Sequence, residues 1–133
     1  MEIDYIALFV SDVQRSVTFY RDALGFEFTT PTKPDGAEGR SGRLRIGLYD
    51  RSWLPRLLGE AADHPISGHP FLLSMTVPNL EASYQRLQQL EVTILQPPQS
   101  MDWGQRILFL ADPDGNLLEI VQAAGSDQPP ALE

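Results

Sequence analysis

The order of apolar and polar positions predicts a strand, a helix and further strands, and then predicts the same series again. Residues 4 to 10, DYIALFV, form a β-rich apolar run. Ser11-x-x-Gln14 has the spacing of a capping box, and Asp12 is itself an N-cap candidate. Val13, Val17, Tyr20 and Leu24 then recur at helical spacing, and Gly25 stands where a helix commonly ends in glycine. β character restarts in FEFTT, residues 26–30. Residues 31–42, PTKPDGAEGRSG, read as a loop rich in Pro and Gly, and RLRIGLY (43–49) alternates like a half-buried strand.

The second half keeps this order. FLLSMTV (71–77) reads as a strand, and Asn79 can cap a helix carrying Leu80, Tyr84, Leu87 and Leu90. EVTIL (91–95) is strand-like and QPPQSMDWG (96–104) reads as a loop. QRILFLA (105–111) and NLLEIVQ (116–122) flank the turn chemistry of Asp112-Pro113-Asp114-Gly115. Val10 aligns with Val77, Asp12 with Asn79, Val13 with Leu80 and Ser16 with Ser83, each pair 67 positions apart (77 − 10). Such repetition predicts an internal duplication. The reading is one domain over 1–123, with a first module at about 3–50, a linker at 51–70 and a second module at about 71–123. A short helical turn is expected around Leu54–Leu58, and residues 124–133 are expected to be a flexible tail.

Composition narrows the function classes. Eighteen acids against ten bases give a net charge of −8 at pH 7, in a chain of 133 residues. Such a surface repels nucleic acid and anionic membranes, which are bound through Lys and Arg, and suits small molecules, cationic ones in particular. No apolar run approaches the ~20 residues of a membrane helix. The opening MEIDYIALFV lacks a basic leader region, which predicts a first strand in its place. The absence of cysteine removes disulfides, thiolate nucleophiles and zinc–sulfur sites, and a cytoplasmic location is expected. There is no phosphate-binding glycine loop and no G-x-S-x-G elbow.

Two segments carry a family likeness. Val10-Ser11-Asp12 through Ser16, Phe19-Tyr20 and Leu24-Gly25-Phe26 is one; Trp103-Gly104-Gln105-Arg106 followed by Asp112-Pro113-Asp114-Gly115-Asn116-Leu117-Leu118-Glu119 is the other. With the duplication, these resemble the vicinal oxygen chelate superfamily of glyoxalase I, bleomycin-resistance proteins and extradiol dioxygenases, over residues 4 to 122. The resemblance implies an α+β fold: two tandem βαβββ modules forming a cup-shaped partial barrel, with helices outside and the ligand inside. Strand period then places Ile6, Leu8, Val10, Leu44, Ile46, Leu48, Leu118 and Ile120 in the core. Tyr5, Ala7, Phe9, Arg43, Arg45, Gly47, Tyr49, Leu117, Glu119 and Val121 fall on the cup side.

Metal-using members of the superfamily hold one divalent ion through the first and last strand of each module. The matching positions here are Tyr5, Gly47, Leu72 and Glu119. Of these only Glu119 is an ordinary ligand, so the expectation is no metal and no other cofactor, with rescue by His64 or His69 of the linker as the alternative. The expected ligand pocket is Tyr5, Ala7, Phe9, Arg45, Gly47, Tyr49, Trp53, Leu72, Ser74, Trp103, Leu117 and Glu119. A carboxylate in an apolar cup must be paired, protonated or hydrogen-bonded. Glu119 is accordingly expected to meet Arg43 or Arg45, or a ligand's amine or hydroxyl, or to act as a general base; Arg45 is equally placed for a ligand's carboxylate or phosphate. The leading reading is a small-molecule-binding homodimer of the bleomycin-resistance type. The alternatives are a metal-dependent or metal-free lyase, isomerase or dioxygenase, and a regulatory module acting with other proteins.

Overall fold

A computed structural model describes residues 3, 5–29, 33–59, 62, 69 and 71–124. The chain divides into two compact units, Met1–Ile66 and Ser67–Glu133. In the first, the elements are β1 (Tyr5–Val10), α1 (Val13–Thr18) running into a π-helical segment (Phe19–Ala23), β2 (Glu27–Phe28), β3 (Gly36–Ser41), β4 (Leu44–Asp50) and α2 (Trp53–Leu58). In the second they are β5 (Leu72–Val77), α3 (Leu80–Gln89), β6 (Thr93–Ser100), β7 (Arg106–Ala111) and β8 (Leu117–Gln122).

Each unit makes its own four-stranded mixed sheet, in the orders β1-β4-β3-β2 and β5-β8-β7-β6. In both, the first strand pairs in parallel with the last, and the remaining neighbours are antiparallel. Two βαβββ modules of one α+β design are therefore present, as the repeated pattern implied. The helices begin alike. Asp12 accepts a hydrogen bond from the Arg15 N–H at 3.1 Å, and Asn79 accepts one from the Ala82 N–H at 3.0 Å. Asp12 is thus the cap that the sequence left open, and Gln14 instead donates to the Lys33 carbonyl at 3.4 Å. Gly25 adopts φ +77° at the end of the first helix, a conformation that costs glycine little.

One face of the first sheet is closed by α1. Leu8, Val10, Ile46 and Leu48 pack with Val13, Val17 and Tyr20, and all are almost fully buried. Burying each such side chain contributes about 1.5–3 kcal/mol. In the second unit Leu80, Leu87, Leu108, Leu110, Leu118 and Ile120 play the same part. Val121, expected on the opposite face from Leu118 and Ile120, is buried as well.

Two segments read as loops are strands. Gly36–Ser41 forms β3, paired antiparallel to both β2 and β4, and two of its glycines lie beneath aromatic rings. A Cβ on Gly39 would stand 2.6 Å from the Phe28 ring, and one on Gly36 would stand 3.0 Å from the Tyr49 ring. Glycine here permits close strand approach, and that is invisible to a composition rule. Likewise the strand expected at 91–95 continues through the first part of the segment read as a loop, so that β6, Thr93–Ser100, contains Pro97 and Pro98. It is an edge strand whose pairing to β7 shifts register between Ile94 and Gln96 and between Gln96 and Gln99, which is where prolines are tolerated.

The short helix anticipated at Leu54–Leu58 is α2. Among the described residues, no helix is long and apolar enough to cross a membrane.

Candidate functional site

Strand register brings six of the expected pocket residues together on one face of the first sheet. β1 and β4 pair Tyr5 with Arg45, Ala7 with Gly47, and Phe9 with Tyr49. β3 adds Glu38, opposite Gly47, and Arg40, opposite Arg45.

The centre of this face is a cluster of two phenols and a carboxylate. The Tyr49 hydroxyl donates to Glu38 Oε1, and the Tyr5 hydroxyl lies 3.0 Å from the Tyr49 oxygen and 3.2 Å from Glu38 Oε1. Each phenol has one proton, so that of Tyr5 is shared between two acceptors while that of Tyr49 serves Glu38. Burial pushes the pKa of both tyrosines up, and the proton that Tyr49 gives to Glu38 raises its own further. Both remain neutral donors at physiological pH.

Gly47 is what allows this cluster. A Cβ there would stand 2.1 Å from the Tyr5 oxygen and 2.5 Å from the Tyr49 ring. The space that a longer residue would fill at this position is taken by the Tyr5 phenol. Arg45 covers the other side of Tyr5, its guanidinium carbon 5.1 Å from the ring centroid.

Aromatic surface continues from Tyr49. Its centroid is 6.5 Å from that of Phe9 and 5.7 Å from that of Trp53, which meets it at 66°. Trp53, on α2, donates from Nε1 to the Asp35 carbonyl at 3.1 Å and carries the Arg56 guanidinium 4.0 Å above its ring. Two clefts open here. One of about 300 Å³ is lined by Thr29, Lys33, Asp35, Glu38, Tyr49 and Trp53, among others. The second, about 480 Å³, is lined by Glu27, Phe28, Thr29, Glu38, Arg40 and Arg45.

In the second unit the expected residues fall on β5 and β8. Leu72 pairs with Leu117, and Ser74 with Glu119, while Phe109 of β7 flanks Glu119 on its other side. Glu119 is half-buried, and Leu72 is 42% exposed. Trp103 lies apart from these strands, in the turn after β6. It is exposed and donates from Nε1 to Gln105 Oε1 at 2.9 Å.

The donor set can be judged against a divalent ion. Gly47 supplies no donor and its space is filled by Tyr5; Leu72 supplies none; Glu119 alone has the chemistry of a ligand. Among the described residues, no three His, Cys, Asp or Glu side chains are grouped to hold a metal. His69 is exposed, and His64 lies outside the described residues. Glu38 was missed by sequence reasoning, since it falls in the segment read as a loop. The signal was present: Glu38 and Arg40 alternate with the small residues Ala37, Gly39 and Ser41, a period-2 pattern.

Comparison with known proteins agrees with this architecture. YraH of Bacillus subtilis (strain 168), an uncharacterized protein, is 30% identical over 125 residues, spanning 90% of this chain and 97% of YraH. A glyoxalase/bleomycin resistance protein/dioxygenase family enzyme from Burkholderia phytofirmans PsJN superposes with a TM-score of 0.79 at 21% identity, over 92% of this chain and 98% of that one. Lactoylglutathione lyase from Agrobacterium tumefaciens gives a TM-score of 0.70 at 20% identity, over 96% and 98%. These two likenesses carry the fold alone. The profile of one family matches residues 2–120, and the chain belongs to that family, the Glyoxalase/Bleomycin resistance protein/Dioxygenase superfamily.

Proposed function

We propose that this protein binds a small organic molecule without the help of a metal ion, as the bleomycin-resistance branch of its superfamily does. The reading rests on one observation: the Tyr5 phenol fills the space beside Gly47, at a position where metal-using relatives place a ligand. In its place the chain presents hydrogen-bonding groups, Tyr5, Tyr49 and Glu38, beside the aromatic surfaces of Phe9 and Trp53. Apolar surface with a few fixed polar groups is the usual make-up of a small-molecule site. Within the second unit, the β5–β8 register sets Ser74 beside Glu119, a polar pair of its own.

A homodimer and a cytoplasmic location accompany this reading. Phe71, Leu72, Leu90 and Leu95 are exposed in the second unit, and a partner chain would cover such surface. A monomeric mass by size-exclusion light scattering at micromolar concentration would remove the dimer.

Thermal-shift screening of aromatic, cationic and carboxylate compounds, with and without EDTA, tests the binding role. The expected result is a set of hits whose stabilisation is unchanged by the chelator. Stabilisation that depends on an added divalent ion would overturn the metal-free reading in favour of a lyase, isomerase or dioxygenase. Replacing Glu119 by Gln is expected to weaken a hit while leaving the fold intact; no change would remove Glu119 from the site.

A further inference from the structure

The two clefts of the first unit share two residues, Thr29 and Glu38. The Thr29 hydroxyl donates to the Glu38 carbonyl at 2.7 Å, which ties their shared wall together. The clefts are therefore neighbours across Glu38, and their linings differ in character. On one side stand Arg40 and Arg45, adjacent by register. On the other stand Tyr49, Trp53 and Asp35. Along β3, Glu38 and Arg40 are two residues apart on one face, which separates their backbones by about 7 Å. Their side chains can converge on a molecule of a few atoms.

Each part has a distinct chemical preference. Two guanidinia favour a carboxylate or phosphate, which they grip through paired N–H donors. Both phenols engage Oε1 of Glu38, which leaves the acceptor positions of Oε2 for another donor, a cationic amine above all. The Trp53 ring already accepts the chain's own Arg56 guanidinium at 4.0 Å, and Tyr49 stands edge-on beside it. That surface suits an aromatic body lying next to a positive charge.

We propose that the paired clefts form a single site for an aromatic zwitterion of amino-acid type, with its ammonium at Glu38, its anionic group at Arg40 and Arg45, and its ring against Tyr49 and Trp53. This rests on the binding role argued above and names the ligand class. It makes Glu38 and Arg45 the residues that set specificity. The Glu38–phenol cluster holds the carboxylate in place, so its orientation is fixed before a ligand arrives.

Three matched probes test the assignment by isothermal titration calorimetry: phenylalanine, phenethylamine, which lacks the carboxylate, and 3-phenylpropionate, which lacks the amine. Phenylalanine is expected to bind about tenfold or more tightly than either, the difference that one charge-assisted contact supplies. Glu38→Gln, whose amide oxygen can still accept from both phenols, should weaken phenylalanine and phenethylamine about tenfold and leave 3-phenylpropionate unchanged. Arg45→Gln should weaken phenylalanine and 3-phenylpropionate and spare phenethylamine. Arg40→Gln provides a second variant at that end should Arg45→Gln fail to fold, as judged by circular dichroism.

Equal affinity for the three probes, or equal loss of all three in both variants, would overturn the proposal. If the probes fail while other compounds stabilise the protein and Glu38→Gln does not alter their effect, the zwitterion site is wrong and the binding role stands. If neither the probes nor a broad screen gives any binding, both readings fall.

Discussion

The two βαβββ units share topology and register, yet they fill the same positions with opposite chemistry. Val10 and Val77, at the ends of β1 and β5, are 67 positions apart, and each accepts a bond from the N–H just beyond the unit's last strand: Arg51 at 3.1 Å and Ala123 at 2.8 Å. Gly47 and Glu119, 72 positions apart (119 − 47), hold the same place in the parallel pairing, opposite Ala7 and Ser74. At that place one unit has a carboxylate and the other has only a hydrogen atom. In the first unit the carboxylate comes from the next strand, as Glu38, which the register sets beside Gly47 and two phenols hold. A duplicated backbone thus preserves the position of a side chain without preserving its chemistry. Register alone is a guide to where function resides, and the residue types decide what it is.

Gly47→Ala breaks this comparison most sharply. The methyl would overlap the Tyr5 oxygen and the Tyr49 ring, so the cluster must shift, at a cost of about 2–3 kcal/mol. Glu119→Ala, at the matching place in the second unit, should change stability by less than about 1 kcal/mol. Chemical denaturation of the two variants checks the asymmetry. Combining Gly47→Ala with Tyr5→Leu should cost less than the sum of the single changes, since the clash is the shared term.

Next in size is Asp112→Ala. The buried Asp112 carboxylate accepts from the Asp114 N–H at 2.9 Å, the Asn116 N–H at 2.8 Å and the Asn116 amide at 2.8 Å. It holds the β7–β8 turn of the second unit. Removing it leaves buried donors unpaired and should lower stability by about 2 kcal/mol, read as a fall in melting midpoint.

The helix caps sharpen the likeness between the units. Asp12→Ala and Asn79→Ala each remove one side-chain bond to the N–H three residues on, and each should cost about 1 kcal/mol. A clear inequality between them would show that the two helix starts are not equivalent.

The phenols come last, because their effect is read as a change in pH dependence. Tyr5 and Tyr49 have pKa values raised above the ordinary 10.0, chiefly by burial. The folded protein keeps protons that the unfolded chain releases above about pH 10. Their contribution is therefore full below that pH and is lost as pH rises toward their folded values. Ultraviolet titration of tyrosinate should show a late-ionising fraction that shrinks by two tyrosines in the Tyr5→Phe, Tyr49→Phe double variant. An ordinary titration of both would contradict the cluster.

The parts of this architecture that were legible in the sequence are those governed by regular period. Leu8, Val10, Ile46 and Leu48 alternate, and Leu80 and Leu87 recur as a helix requires, so strand, helix and duplication could be read directly. What was hidden depended on packing between strands. Gly36 and Gly39 look like loop residues until Tyr49 and Phe28 are seen lying across them. Pro97 and Pro98 look like a break until β6 proves to be an edge. Misreading β3 cost the site its central carboxylate, because Glu38 becomes meaningful only once β3 sets it opposite Gly47. Tyr5, Gly47 and Tyr49 were identified one by one, while their mutual dependence, with a phenol occupying a glycine's empty place, is a tertiary fact.

The central claim, that the phenol beside Gly47 stands in for a metal ligand, is tested most directly by elemental analysis of protein purified without chelator. The account predicts no divalent metal in stoichiometric amount. About one nickel, zinc, iron or manganese per chain would contradict it.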